Sequence, residues 1–190
     1  TLGAFNYNGG TLSPVPTFTH TAGTFTLGKA YALTATGTYT FTAGAINLGG
    51  FNLTTGIFSS SGTSTRSIDF GTGNIVLAHT TAAQTVLSMA DVTNYTQVAT
   101  TGGFTADASV TRTFTFGTTA GTTTNSPNLS LTGIGTAIAS FSTGSWFNSL
   151  TFGTTAFVVP VTTLNVNGIT LSSGGTFTNV SINMRGTGTI

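Results

Sequence analysis

Hydrophobic and small polar residues alternate along much of this chain. In residues 38–42, TYTFT, two aromatic residues alternate with three threonines. A period of two is typical of a β-strand with one buried face, so Tyr39 and Phe41 are predicted to point inward and the threonines outward. Threonine is β-branched and suits the pleated surface of a sheet. The same alternation recurs in TFTL, RTFTF, SLTF and GTFTNVSIN, at residues 24–27, 112–116, 149–152 and 175–183.

Parts of the chain also resemble each other. Residues 21–37 align with residues 42–56 at an offset of 21, which falls to 20 after a one-residue slip, and the pattern T-A-G-x-hydrophobic-x-L-G is shared. A second element, IDFGTG, FTFGTT and LTFGTT, begins at Ile68, Phe114 and Leu150. A glycine after an inward phenylalanine is expected at a corner, because glycine tolerates the backbone conformations that a corner needs.

These patterns predict an all-β fold, since no window has the periodicity of a helix. A repeat of about 20 residues with glycine corners favours a β-solenoid of short strands stacked about 4.8 Å apart. A β-sandwich or jelly roll is the alternative, because it also has short strands at close intervals.

The predicted organisation is a single all-β repeat domain over residues 1–190. Residues 1–78 are predicted to be solenoid-like and residues 111–190 to be rich in strands. Residues 79–110 have fewer glycine corners and more Ala, Gln and Met, which indicates an irregular excursion, a lateral loop or an irregular coil. A loop with a turn at Asn125, Ser126 and Pro127 is predicted after residue 121.

Charge is scarce. Only 4% of the residues are charged, against about 25% in typical proteins, and the net charge is +1. Nucleic-acid binding and a polybasic membrane patch both need clustered Lys and Arg, so neither is expected. The longest apolar run, residues 156–161, is interrupted by a proline and is far shorter than the roughly 18 residues of a membrane helix, so no membrane insertion is predicted. With 15 Phe, the composition indicates a folded protein whose surface is Thr, Ser and Asn.

Cysteine content, the first residue and glycosylation sequons give little information on function. The chain has no cysteine, so disulfide and thiolate chemistry are not available. It begins at Thr1 rather than Met, which suggests a processed or truncated product. N-x-S/T sequons occur at Asn52, Asn94, Asn128 and Asn179 and matter only if a glycosylating cell secretes the protein.

Candidate catalytic residues do not form a recognisable site. Glycoside hydrolysis needs two carboxylates at a set separation. The chain has no Glu, and Asp69, Asp91 and Asp107 are far apart in sequence, so surface or turn positions are expected for them. In particular, Asp69 lies between two residues predicted to point inward, Ile68 and Phe70, so its side chain should face solvent.

The histidines and glycines give the same result. His20 and His79 lie in no nucleophile elbow and have no metal-ligand spacing, so exposed or loop positions are expected. The glycine-rich stretches lack the pattern of a phosphate-binding loop. The sequence therefore predicts no catalytic, cofactor-binding or metal-binding residues, and no cofactor.

Four bulky residues allow a binding role. Alternation places one of Trp146 and Phe147 inside and one outside, where an exposed ring would stack on a sugar or contact another subunit. Core packing or an interface is the preferred interpretation. Arg66 and Arg112 each precede a strand ending in Phe-Gly-Thr, so equivalent positions in two repeats would align them on one face. They would serve there as edge residues that block aggregation, or contact a partner.

The segments GAINLGGFNLTTGIFSSSGTSTRSIDFGTGNIVL, TRTFTFGTTAG and FNSLTFGTT, at residues 44–77, 111–121 and 147–154, resemble the Gly/Thr/Ser-rich, tail-fibre-like structural proteins of tailed phages. The resemblance extends from about residue 21 onward. It implies a homo-oligomer, such as a trimer or a polymer, on a virion surface, and it brings no catalytic residues.

Three functions follow as expectations. The first is a virion structural or attachment protein without enzymatic activity, with other virion proteins and a host-surface glycan or receptor as partners. The second is a secreted, self-assembling extracellular filament or matrix subunit, in which strands add end to end. The third is an ice- or carbohydrate-binding β-helix, suggested by T-x-T triplets. Irregular spacing of the triplets along the chain disfavours a flat ice-binding face.

Overall fold

The computed structural model describes residues 5–7, 17–98, 101–107, 110–132, 136–153, 156–159, 162–171, 176–177 and 180–184. These residues form strands and the turns that connect them, with no helix among them. The strands, in chain order, are β1 (Phe5–Tyr7), β2 (Thr17–His20), β3 (Thr24–Leu27), β4 (Tyr31–Ala32), β5 (Thr38–Phe41), β6 (Gly44–Asn47), β7 (Leu53–Thr55), β8 (Ile57–Ser59), β9 (Arg66–Asp69), β10 (Asn74–Leu77), β11 (Gln84–Asp91), β12 (Tyr95–Val98), β13 (Gly103–Asp107), β14 (Arg112–Thr119), β15 (Asn128–Thr132), β16 (Thr136–Phe141), β17 (Ser145–Phe152), β18 (Ala156–Val159), β19 (Thr162–Leu171), β20 (Thr176–Phe177) and β21 (Val180–Met184).

The strands form three sheets. Sheet I has five strands in the order β1-β3-β6-β9-β12. Sheet II has eight, in the order β21-β19-β17-β15-β13-β10-β7-β4, and sheet III has eight, in the order β2-β5-β8-β11-β14-β16-β18-β20. The pairings along each sheet are parallel, as in β5 with β8, β6 with β9 and β7 with β10. The prediction of an all-β fold is confirmed, and an antiparallel sandwich or jelly roll does not fit these pairings.

Successive strands belong to different sheets, so the chain passes from sheet to sheet in layers. From β2 to β13 each layer has three strands, and a strand pairs with the strand three positions later. In the described part of the chain, sheet I ends at β12, and from β14 onward each layer has two strands, one in sheet II and one in sheet III. The loop of residues 120–127 and the turn of residues 142–145 stand in those later layers where a sheet I strand stands in the earlier ones.

The internal alignment predicts part of the register correctly. Thr24 lies opposite Ala45 and Phe25 opposite Ile46, as the first offset requires. The slip to a shorter offset is misplaced: Tyr31 pairs with Leu53, so the spacing between layers increases there, and it becomes shorter only at Thr38, which pairs with Ile57. The reason for the increase is a turn of residues 48–51, closed by a hydrogen bond from Phe51 N to Leu48 O (2.8 Å), which leaves Phe51 outside the core.

Two of the three predicted glycine corners adopt a left-handed backbone. Gly71 has φ of 55° and follows the buried Phe70, and Gly117 has φ of 65° and follows the buried Phe116. An L side chain is disfavoured there, which explains the glycine. The third phenylalanine of this kind, Phe152, is also buried.

The core is a continuous stack of aromatic and aliphatic side chains between the sheets. Tyr39 and Phe41 are fully buried, and Thr38, Thr40 and Thr42 lie on the outside as the alternation predicts. Rings from neighbouring layers are in contact: the Tyr39 and Phe58 centroids are 5.6 Å apart with an interplanar angle of 14°. Burial of these stacked side chains is the main stabilising contribution, since each large apolar side chain contributes about 1.5–3 kcal/mol.

The region of residues 79–110, predicted to be irregular, supplies one three-stranded layer. Its strands β11, β12 and β13 pair with β8, β9 and β10 of the preceding layer. The irregularity is local: β11 has two register shifts against β14, one between Thr85 and Leu87 and one between Met89 and Asp91. Among the described residues there is no helix long and apolar enough to cross a membrane.

Candidate functional site

The three aspartates occupy three different strands and sheets. Asp69 ends β9 in sheet I, Asp91 ends β11 in sheet III and Asp107 ends β13 in sheet II. Asp69 is partly exposed, as predicted, and Asp91 is also on the outside, where the Thr93 N–H donates to its carboxylate (2.9 Å). That hydrogen bond lowers the pKa of Asp91. No group of three His, Cys, Asp or Glu side chains that could hold a metal ion lies within the described part of the chain.

The expectation of exposed or loop positions is wrong for His20, which ends β2 and is only 6% exposed. His79 does lie in a loop, after β10, although it too is only 6% exposed. The ring of His20 lies 5.0 Å from that of Phe41, centroid to centroid. Its Nε2 is 3.3 Å from the Gly23 carbonyl and its Nδ1 is 3.3 Å from the Tyr39 hydroxyl. An Nε2–H donated to Gly23 and an Nδ1 that accepts from Tyr39 satisfy both nitrogens of a neutral ring.

We expect acid to weaken the fold through His20. Burial lowers the pKa of His20 below its usual value of 6.5, although the Gly23 and Ala22 carbonyls act in the opposite direction. Below pH 6.5 the unfolded chain therefore binds a proton that the folded chain does not, and the free energy of unfolding falls until the pH reaches the lower, folded pKa. Urea denaturation of the wild type and of His20→Gln at several pH values measures this effect.

The control in that experiment is the His20→Gln variant itself, whose remaining pH dependence comes from other groups. The difference between the two proteins should shrink or reverse as the pH falls below 6.5. An unchanged difference between pH 7.5 and pH 5 would contradict the assignment of a buried neutral ring.

The expectation that Arg66 and Arg112 lie on one exposed face is also wrong. Arg66 is fully buried and Arg112 is 3% exposed. They belong to different sheets, because Arg66 begins β9 in sheet I and Arg112 begins β14 in sheet III. The two arginines have similar neighbours in the sequence, but their strands belong to different sheets. The positions of Arg66 and Arg112 are therefore not equivalent.

The guanidinium of Arg66 is surrounded by neutral oxygen atoms. Its Nη1 donates to the Ser60 carbonyl (2.7 Å) and hydroxyl (2.9 Å), and its Nε donates to Ser64 O (3.2 Å). Its Nη2 donates to the carbonyls of Gly62, Asp91 (3.0 Å) and Thr93 (3.3 Å). The side chain thus joins the β8–β9 loop to the turn that follows β11 in the next layer. Burial lowers the pKa of Arg66, and the Asp91 charge opposes this shift.

Trp146 and Phe147 divide as predicted, one inside and one outside. Phe147 is 1% exposed and contacts Phe141, with ring centroids 5.7 Å apart. Trp146 is half-buried, and a Cβ added to Gly121 would overlap its indole ring. Trp146 therefore packs against the loop after β14, and its ring is not a fully exposed stacking platform.

Hydroxyl side chains form a column on the outer face of sheet III. Residues in register from β2 to β14 have a Thr or Ser at one outward position: Thr19, Thr40, Ser59, Ser88 and Thr115. The T-x-T triplets at residues 17–19, 38–40 and 113–115 each contribute their last threonine to this column. Their spacing along the sequence is irregular because the loops between strands differ in length. The triplet is not repeated in every layer, since Ile57 lies opposite Thr38.

Asparagine side chains form a ladder along one edge of sheet II. The Asn74 N–H donates to Asn52 Oδ1 (3.0 Å), and the Gly103 N–H donates to Asn74 Oδ1 (3.2 Å). Further along, Asn148 Nδ2 donates to Asn128 Oδ1 (2.8 Å). Amides that bridge neighbouring layers satisfy polar groups and fix the register of the strands.

The alternation of hydrophobic and polar residues does not reveal this ladder. The available signal was an Asn directly before an aliphatic residue at the start of a strand, in Asn52-Leu53, Asn74-Ile75 and Asn128-Leu129. Among the sequons, Asn52 and Asn128 are therefore ladder residues. Asn94 is exposed in a turn with φ of 55°, and Asn179 lies outside the described residues.

A shallow hollow of about 130 Å³ opens on the outer face of sheet II, across β10, β13, β15 and β17. We call it the sheet II hollow. Its polar lining comes from Thr101, which precedes β13, and from residues on these strands: Asn74, Thr105, Asn128, Ser130, Ser149 and Thr151. None of the residues that line it carries a charge.

Comparison of the chain with models of protein families, with curated proteins and with solved structures gave no match.

Proposed function

We propose that this chain is a β-solenoid with a structural role, as a non-enzymatic module of a virion. It would belong to a tail fibre, a spike or a surface decoration and take part in attachment. The observation that carries the proposal is the parallel stacking of strands in sheets II and III, each eight strands long. Layers that repeat in this way at about 4.8 Å per strand build a rod about 34 Å long.

The side chains support a structural role over an enzymatic one. The aspartates lie in separate sheets, and the two buried cationic groups are packed inside the layers. The outward positions carry Thr, Ser and Asn, which keep the surface hydrated without charge. The virion assignment rests on the resemblance to Gly/Thr/Ser-rich tail-fibre-like proteins, and it implies self-association and contact with other virion proteins.

A secreted, self-assembling filament or matrix subunit is the second candidate. Two features of the sheets favour it. The strands of every sheet run parallel, and each of sheets II and III has an edge strand at both ends with which a further strand could pair. A parallel strand added at one end would continue the sheet head to tail, and a head-to-tail contact that does not close gives a filament.

Electron microscopy and light scattering of the purified chain at micromolar concentration test the proposal. Short rods or discrete trimers support the virion module. Long regular polymers, which the second candidate predicts, would replace it. A monomer by light scattering at every concentration would contradict both, because each requires the chain to associate with itself.

A further inference from the structure

Gly103 lines the sheet II hollow, at a point where β13 and β15 approach closely. Strand pairing places Asn74 opposite Gly103, and Phe104 opposite Leu129, so that Gly103 lies between Asn74 and Asn128. A Cβ on Gly103 would lie 2.5 Å from the Asn128 carbonyl oxygen and 2.8 Å from its Cβ. Glycine is therefore required there by the close approach of β15, and the gap in the asparagine ladder is a fixed part of the structure.

The side chains beside the gap are held in place. Asn128 Nδ2 donates to Gly102 O (3.2 Å), and its Oδ1 accepts from Asn148 (2.8 Å) and from the Ser149 hydroxyl (2.9 Å). Asn74 Oδ1 accepts from Gly103 N. A site of this kind is preorganised, so a ligand would lose little free energy in ordering its walls.

Several polar groups in the hollow remain available to a ligand. In the described part of the chain, no protein group is hydrogen-bonded to the hydroxyls of Thr105, Ser130 and Thr151 or to Nδ2 of Asn74. Thr105 pairs with Ser130, and Ser130 pairs with Thr151, so the three hydroxyls form a row at the strand spacing of about 4.8 Å. Each hydroxyl can donate and accept a hydrogen bond, and the Asn74 amide can donate.

We propose that the sheet II hollow binds one unit of a neutral saccharide. The lining is uncharged, so it lacks the Lys or Arg that would hold a phosphate or carboxylate. Its free groups are hydroxyl and amide, which match the alternating donors and acceptors of a sugar ring. The volume is below the roughly 300–1,000 Å³ of pockets for drug-sized ligands, so the hollow accommodates one sugar unit of a chain.

This inference rests on the proposed attachment function, to which it assigns a place and a ligand class. A single open hollow binds weakly, and we expect a dissociation constant in the millimolar range. An oligomer that presents several copies would bind a polysaccharide more tightly by multivalency.

Titration with neutral sugars tests the inference, with glucose, galactose, mannose and N-acetylglucosamine as probes and glucuronate as the charged control. Binding is followed by NMR, as shifts of the amide resonances of β10, β13, β15 and β17. We expect at least one neutral sugar to shift these resonances and glucuronate to leave them unchanged. No shift with any neutral sugar, or an equal response to glucuronate, would overturn the inference.

A matched pair of variants locates the site. Ser130→Tyr fills the hollow, and Thr54→Tyr places the same ring at an outward position of β7, outside the hollow. We expect Ser130→Tyr to weaken binding at least tenfold and Thr54→Tyr to leave it unchanged. Thr151→Tyr replaces Ser130→Tyr if the latter does not fold, as judged by circular dichroism. Equal binding by the filled and control variants would overturn the site.

Light scattering on the same samples separates the two proposals. Self-associated rods without sugar binding would overturn the saccharide site and leave the structural role in place. A monomer that binds a neutral sugar through the hollow would overturn the structural role and retain the site.

Discussion

Arg66→Met lowers the free energy of unfolding by about 3–5 kcal/mol, because several hydrogen bonds from a charged donor are lost together. Methionine fills much of the same volume but donates no hydrogen bond. The substitution leaves the carbonyls of Ser60, Gly62, Ser64, Asp91 and Thr93 without their guanidinium donor. The full penalty of about 1–3 kcal/mol for an unsatisfied buried carbonyl applies best to Ser60, because the other four carbonyls belong to partly or fully exposed residues that water can reach.

Chemical denaturation measures this loss, and a thermal scan should show a fall in Tm of roughly 10 °C. Lys29→Met is the matched control, because Lys29 is exposed and the same charge is removed. We expect the control to change stability by less than about 0.5 kcal/mol. Similar effects of the two substitutions would show that the oxygen cage around Arg66 does not stabilise the fold.

Phe58→Ala is the second substitution with a large expected effect, about 3–5 kcal/mol. Phe58 is fully buried and links layers, since its ring lies 5.6 Å from Tyr39, 6.5 Å from Phe41 and 5.5 Å from Phe104, centroid to centroid. The cavity left by the ring would be lined by aromatic groups held by flanking strands. These groups cannot collapse into the space without shifting the ladder hydrogen bonds.

Phe51→Ala makes the same chemical change at a side chain that is 39% exposed, in the turn after β6. It should cost less than about 1 kcal/mol, because the ring is outside the core. Urea denaturation of both variants gives the comparison. A loss at Phe58 no larger than that at Phe51 would mean that the ring stack does not hold the layers together.

The sequence predicts which face of a strand is buried, because alternation is a local property. Tyr39, Phe41 and Phe147 are inside for that reason. It predicts register only where two repeats have equal length, as between β3 and β6, and fails at Tyr31, where a turn changes the spacing. Periodicity carries no information on loop length, so the alignment of the hydroxyl column on sheet III could not be read from it.

The burial of polar side chains is the second feature that the sequence alone does not predict. His20 and Arg66 were expected outside, because polar side chains are usually exposed. Each is instead buried with hydrogen-bond partners: Gly23 and Tyr39 for His20, and the carbonyls of two stacked loops for Arg66. Such partners are distant in sequence or contributed by the backbone, so the residue types alone do not reveal them. The sheet II hollow is not evident from the sequence for a similar reason, since the register of four strands brings its lining residues together.

The strand pairings also constrain how the chain folds. Each strand pairs with strands of the adjacent layers, so partners are close in sequence throughout, as Thr162 is to Val180 and Asn74 is to Gly103. The entropy of closing a loop depends only weakly on modest differences in loop length, so adding each layer should cost about the same. If further layers were added, the typical number of residues between two contacting positions would then stay the same. Longer versions of this architecture should fold by local propagation from any formed layer, and their contact order relative to length should decrease as layers are added.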